Sequence, residues 1–186
     1  MALKKQDIEI WVEEYAGILL SYTLARTENN ATAEDLVQET FISAWKNRDE
    51  FKETASVKTW LFTICKNKII DYYRKKARSP IQFAEAGSSD LFFDDKEHWQ
   101  KEEGPKNWPN RFTMPTEQKE FNHIIGYCKK KLQEMQQRVF VLKYLEDLET
   151  EEICKLLNIS TSNYWVLIHR AKLQIRACLE KNWIKL

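Results

Sequence analysis

All four prolines of this 186-residue chain fall between positions 80 and 115. Proline lacks a backbone donor and clashes with the preceding turn, so no helix runs uninterrupted through that stretch. Residues 79–115, SPIQFAEAGSSDLFFDDKEHWQKEEGPKNWPNRFTMP, also hold two of the four glycines and show no sustained apolar period. The segment 79–116 is too long for an ordinary loop inside one domain. It therefore reads as a linker between two folded units, 1–78 and 117–186. With 4 basic and 7 acidic residues it is acidic. Its aromatic residues (Phe83, Phe92, Phe93, Trp99, Trp108 and Phe112) imply that it lies along a surface, either of its own domains or of a partner.

On both sides of the linker the chain is poor in glycine and rich in Glu, Lys, Leu and Gln, which favours helices over turn-dense β folds. The expected fold is all-α. A three-helix N-terminal domain and a four-helix C-terminal domain with a helix–turn–helix are joined by the long irregular linker. In the first domain, residues 6–28 carry a stripe of Ile8, Trp11, Tyr15, Leu19 and Tyr22. Thr32, with Asp35 three residues on, starts a second helix that runs to about Lys46. Ser56 caps a third helix, which runs to about Ala77. In the second domain helices are expected at about 117–131, 133–146, 150–157 and 161–181, with Thr150 capping the third. The pair TEEICKLL and TSNYWVLIHRAKLQIR, joined by NIS, has helix–turn–helix spacing.

Composition narrows the function. No apolar run approaches the roughly 20 residues of a membrane span, and the N-terminus does not look like a secretory signal, which points to the cytoplasm. Cys65, Cys128, Cys154 and Cys178 are far apart and form no Cys-x-x-Cys pair. In a reducing compartment they are expected as small core residues rather than as a disulfide framework. A zinc site built from them with His123 or His169 is the minor alternative. No nucleophile–base pair or phosphate-cradling glycine loop is evident, so no enzyme is expected, and no cofactor or metal. The net charge of +1 excludes a generally basic coat for nucleic acid. Between residues 66 and 78, however, Lys66, Lys68, Arg74, Lys75, Lys76 and Arg78 face only Asp71, so any such contact should be local.

The last long helix sets Tyr164 beside Trp165, and each residue turns the helix by about 100°. Tyr164, Ile168, Ala171, Ile175, Cys178 and Leu179 share one side, the natural core face. Ser162, Val166, His169, Arg170 and Arg176 fall elsewhere, and Trp165 lies at the border. The outward residues either pack on a neighbouring element or, in the second position of a helix–turn–helix, face the DNA major groove. On the third helix, Leu61, Ile64, Cys65, Ile69 and Tyr72 form a broad apolar arc, and Trp60 borders the opposite side, which bears Thr63, Lys66, Asn67, Asp71 and Arg74. A ring beside amides and cations suits unstacked bases; a plain core role for Trp60 and Phe51 stands beside that reading. On the helix from Thr32, Asp35, Gln38 and Glu39 share one face, which is either solvated or matched to a basic partner.

The stretches AEDLVQETFISAW and FKETASVKTWLFTICKNKIIDYYRK resemble the core-binding and promoter-melting domain of bacterial RNA polymerase sigma factors. RVFVLKYLEDLETEEICKLLNISTSNYWVLIHRAKLQIRACL resembles their promoter-reading C-terminal domain, and the two-domain layout resembles the extracytoplasmic-function (ECF) class. The resemblance implies a transcription initiation factor whose partners are core RNA polymerase (the β′ clamp and β flap), promoter DNA and an anti-sigma factor, without membrane insertion. Asp35, Gln38 and Glu39 would dock on the β′ clamp. Phe51, Trp60, Thr63, Lys66, Asn67 and Arg74 would engage the −10 element, with Phe51 and Asn67 at the pocket for a flipped base. Ser162, Asn163, Trp165, Val166, His169, Arg170 and Lys172 would meet the −35 element. Many relatives carry a basic residue where this chain has Trp165 and another at Leu167, so its phosphate attraction should be weaker. The competing readings are a stand-alone helix–turn–helix regulator acting without being a polymerase subunit, and a helical adaptor that binds no DNA.

Overall fold

The computed structural model describes residues 5–27, 29–51, 55–78 and 115–184. Among them the chain forms seven α-helices and no strand. It divides into two compact units, Met1–Arg78 and Ser79–Leu186. The expectations for the linker over 79–114 lie outside the described residues.

The first unit packs three helices against one another: α1 (Lys5–Leu24), α2 (Asn30–Lys46) and α3 (Val57–Ala77). A short 3-10 turn, Arg48–Glu50, follows α2. Ser56 caps α3 as expected, its Oγ accepting from the Thr59 N–H at 3.2 Å. The cap of α2 is Asn29 rather than Thr32: Asn29 Oδ1 accepts from the Thr32 N–H at 2.8 Å. An amide oxygen there satisfies one of the donors that a helix start leaves open.

The buried ladder on α1 runs through Trp11, Leu19 and Thr23, with Thr27 just beyond the helix. The threonines are tolerated inside because Thr23 Oγ1 donates to the Leu19 carbonyl at 2.7 Å and Thr27 Oγ1 to the Thr23 carbonyl at 2.9 Å. On α3 the interior face is Leu61, Cys65, Ile69 and Tyr73. Its aromatic member is therefore Tyr73, while Tyr72 is half-buried. Tyr73 can be interior because its hydroxyl donates to the Arg26 carbonyl, which ties α3 to the segment after α1.

The second unit contains α4 (Pro115–Lys130), α5 (Glu134–Tyr144), α6 (Thr150–Leu157) and α7 (Thr161–Leu179); the last runs on into a π-helical turn, Glu180–Ile184. Every residue of α5 from Met135 to Leu142 is buried, which makes α5 the central element. Arg138 is only 1% exposed and pairs with Glu134 one turn earlier; its Nε has no acceptor. Thr150 is the first residue of α6 and not its cap. That position belongs to Glu149, whose N–H donates to Glu152 Oε2 at 3.2 Å.

The turn between α6 and α7 depends on Asn158, which sits in the left-handed region at φ 54°. Asparagine tolerates that conformation better than a bulky residue does. The Ile159 N–H then returns to the Cys154 carbonyl at 3.1 Å, and Ser160 Oγ accepts from the Asn163 N–H at 3.1 Å to start α7.

One expectation about the cysteines fails. Cys128 and Cys178 form a disulfide, with Cα atoms 5.7 Å apart and a sequence separation of 50. Helical spacing places both correctly on apolar faces, but only the antiparallel docking of α4 on α7 brings the two sulfurs together. Closing a loop of that length removes chain entropy equivalent to about 4 kcal/mol. Around the bond lie Leu132, Phe140, Ala171, Ile175 and Leu179, with Phe121, Ile124, Ile125 and Trp183 packed on them.

Two substitutions test this packing in denaturant titrations. Tyr164→Ala should cost about 3–5 kcal/mol, as for other buried aromatics. Ser160→Ala should cost about 1 kcal/mol through the lost cap. Equal small effects would mean that the α7 face is not the interior one.

Candidate functional site

On α7 the neighbouring rings separate as the helical geometry requires. Tyr164 is 1% exposed, whereas Trp165 is 58% and Val166 45% exposed. Trp165 rests edge-on against Tyr164, with ring centroids 5.2 Å apart, so its root is fixed while its outer face meets solvent. Ser162, His169 and Lys172 are exposed, and Asn163 and Arg170 are half-buried. Lys172 Nζ lies 5.7 Å from the Tyr144 ring, which draws its charge toward the end of α5. The surface combines a broad apolar ring, a β-branched side chain, an imidazole and flanking cations on about two turns of helix.

The second group is aromatic and lies in the first unit. Phe51 and Trp60 are half-buried with centroids 5.0 Å apart and planes tilted by 41°. Trp11 is buried beneath them, 6.0 Å from Trp60 and 6.5 Å from Phe51, edge-on to both. The preceding turn positions Phe51: its N–H donates to the Arg48 carbonyl at 3.3 Å. Arg48 is held in turn, its Nη1 donating to the Trp45 carbonyl at 2.8 Å and its guanidinium lying 4.3 Å above the Trp45 ring.

Along α3, Trp60, Thr63, Asn67 and Arg74 follow at spacings of three, four and seven, which keeps them on one stripe. Thr63 and Asn67 are exposed, and Lys66 flanks the stripe half-buried. The Thr63 hydroxyl donates to the Thr59 carbonyl at 2.9 Å, so toward a ligand it is an acceptor. Arg74 is paired with Asp71 on the surface; such an exposed pair is weak and can be exchanged for a phosphate.

The third group is on α2. Asp35, Gln38 and Glu39 are all exposed. Asp35 and Glu39 line an open cleft of about 280 Å³ between α2 and α3, together with Thr32, Leu36, Lys68, Asp71, Tyr72 and Lys75. The cleft is not simply acidic. Lys68 Nζ lies 3.6 Å from Glu39 Oε2, both side chains being part-exposed. Reading α2 alone misses this, because Lys68 comes from α3. Trp11 was likewise legible as a core residue but not as the floor of the ring cluster, since its partners are 40 and 49 positions away in sequence.

No group of three or more His, Cys, Asp or Glu side chains able to hold a metal occurs among the described residues, and no helix among them is long and apolar enough to cross a membrane. The sulfurs of Cys128 and Cys178 are bonded to each other rather than free for a metal.

Comparison with known proteins matches residues 11–79 to the model of sigma-70 region 2 and residues 123–175 to that of sigma-70 region 4. A probable RNA polymerase sigma factor of Haemophilus influenzae is 36% identical over 94% of this chain and 90% of its own. The sigma factor YlaC of Bacillus subtilis is 28% identical over 96% of this chain and 95% of its own. Among solved structures, the sigma factor RpoE of Bartonella quintana, crystallised with the anti-sigma factor NepR, is 20% identical over 95% of this chain and 99% of its own, with a TM-score of 0.44. Two helical units, matched in order to regions 2 and 4 and covered almost end to end by a relative, place this chain in the ECF class of RNA polymerase sigma factors, non-enzymatic initiation factors that direct the polymerase to promoters.

Proposed function

We propose that the two units divide promoter reading between them, and that the residues described above carry it. The first domain, 1–78, binds core polymerase through Asp35, Gln38 and Glu39 on α2. It engages the −10 element through Phe51, Trp60, Thr63, Lys66, Asn67 and Arg74. Supporting this is the ring cluster, in which Trp11 is buried while Phe51 and Trp60 stay half-open beside an amide and cations. A base that leaves the duplex stacks on such rings and bonds Asn67 through its edge, which offsets an unstacking cost of a few kcal/mol. On the α2 face, a cation of the polymerase competes with Lys68 for Glu39.

The second domain, 117–186, meets the −35 element through Ser162, Asn163, Trp165, Val166, His169, Arg170 and Lys172. The observation that carries this reading is the exposure of Trp165 directly above buried Tyr164. A helix that presents an anchored apolar ring with His169 and Arg170 fits a groove offering thymine methyls and base acceptors. Residues 79–116 serve as the tether, and the protein acts in the cytoplasm, where its polymerase is. An anti-sigma factor would silence it by covering the same α7 or α2 faces. The stand-alone regulator is not favoured, since region 2 is present in addition to the helix–turn–helix.

Run-off transcription with purified core polymerase on a randomised promoter library tests the whole reading; the expected result is initiation from a narrow set of sequences, and folded protein that leaves the polymerase inactive would refute it. In the same assay, Trp165→Ala should reduce specific initiation by about tenfold, the scale of one lost base contact, while its unfolding midpoint stays put. Lys66→Ala should make the salt dependence of promoter binding shallower by about one unit in the log–log slope. An unchanged slope would remove Lys66 from the phosphate contacts.

A further inference from the structure

Promoter reading makes no use of the bond between Cys128 and Cys178. Cys128 is in the last turn of α4 and Cys178 is the penultimate residue of α7. Trp165 is 13 positions nearer the start of α7, about 20 Å along the helix axis. The cross-link is therefore remote from the reading face. A factor that works on bacterial RNA polymerase operates in a compartment kept reducing, where disulfides are mostly transient and redox-sensing. We propose that Cys128–Cys178 is a thiol–disulfide exchange site for a dithiol reductant, and that its state decides whether α4 is clamped to α7.

The surroundings of the two sulfurs assign the order of events. Cys128 is 1% exposed, while Cys178 is half-buried, so attack is assigned to the Cys178 side of the bond. The reductant's thiolate attacks Cys178 Sγ; the S–S bond breaks, and its electron pair leaves on Cys128 Sγ, which takes up a proton. The reductant's second thiol then attacks the mixed disulfide and releases Cys178, which is protonated in turn. Two electrons and two protons pass to the protein, and the reductant ends as its own disulfide. Asn182 is placed to assist the second step. Its Nδ2 is 3.5 Å from Cys178 Sγ while donating to the Cys178 carbonyl at 2.7 Å, so an amide donor faces the departing sulfur.

The consequence follows from how α4 is held. It packs on α7 and on the turn Glu180–Ile184. Apart from Cys128, the apolar side chains it contributes there are only partly buried: Phe121, Ile124 and Ile125. Its Asn122, His123 and Tyr127 are exposed. Once the bond opens, α4 loses its only covalent tie to α7 among the described residues and is held by non-covalent contacts such as the edge-on Phe121–Trp183 pair. Because the chain from the first unit enters the second through α4, its release lengthens the tether beyond residue 116 by up to the rest of the helix, which ends at Lys130.

The full-length chain is equilibrated across ratios of reduced to oxidised dithiothreitol, quenched in acid, denatured and labelled with a mass-tagged maleimide. The oxidised form should label twice, at Cys65 and Cys154, and the reduced form four times. Hydrogen exchange on the same samples should show the amides of α4 exchanging at least about tenfold faster when reduced, with α1 to α3 unchanged. Cys65→Ser/Cys154→Ser should retain that difference, and Cys128→Ser/Cys178→Ser should exchange at the fast rate in either buffer. Four labels at every ratio, or equal α4 exchange in the two states of the unmodified chain, would overturn the proposal; both readouts come from the natural sequence, so they hold even if a variant fails to fold. Neither involves DNA or polymerase, so failure here is distinguishable from failure of promoter reading.

Discussion

On α7, Tyr164, Ile168, Ala171, Ile175 and Leu179 occupy the interior at every third or fourth position. That buried face, with Leu173 also buried on the opposite side further along the helix, governs much of the second unit. It fixes the rotation of the helix, and that rotation leaves Trp165, Val166 and His169 exposed in its first half. It also receives α4, α5 and α6, so the central helix α5 can bury eight successive residues against it and its neighbours. The Asn158–Ser160 turn contributes the angle at which α6 hands over to α7, through a left-handed asparagine and a serine cap. The exposed tryptophan is thus a consequence of core packing, whatever it touches outside the chain.

The first unit solves a different problem. Its interior contains hydroxyls that are satisfied within the unit: Thr23 and Thr27 bond carbonyls of their own segment, Thr40 does the same on α2, and Tyr73 reaches across to the Arg26 carbonyl. With polar atoms accounted for inside, the rim can hold rings that are not fully buried. Trp11 supports Phe51 and Trp60 edge-on, a geometry that aromatic quadrupoles prefer. Two half-open rings on a rigid floor are better prepared for an incoming base than the same rings on a mobile loop, because less order has to be imposed on binding.

Much of this was legible in one dimension. The helices, the Ser56 cap, the division of Tyr164 from Trp165 and the membership of the sigma family all follow from period, cap chemistry and motif. The errors share a cause. Asn29 rather than Thr32, and Glu149 rather than Thr150, begin their helices; cap assignment turns on one or two residues where several side chains offer an oxygen. Tyr73 rather than Tyr72 faces inward because a carbonyl from the end of α1 is there to receive its hydroxyl. Glu39 is partnered by Lys68, and Cys128 by Cys178, across helix pairs whose docking no single-helix projection contains.

The sequence by itself determined which faces are apolar, where helices start and stop to within about a turn, and which residues are left outside the core. Those properties depend on neighbours three or four positions away, and the backbone period transmits them directly. Only the tertiary structure decided which leftovers meet: a tryptophan under two other rings, a lysine beside an acid, two sulfurs within bonding distance. Such contacts join positions up to 50 residues apart. They are fixed by how helices rotate and slide against each other to fill a core, a collective property of all the packed faces that no local spacing encodes.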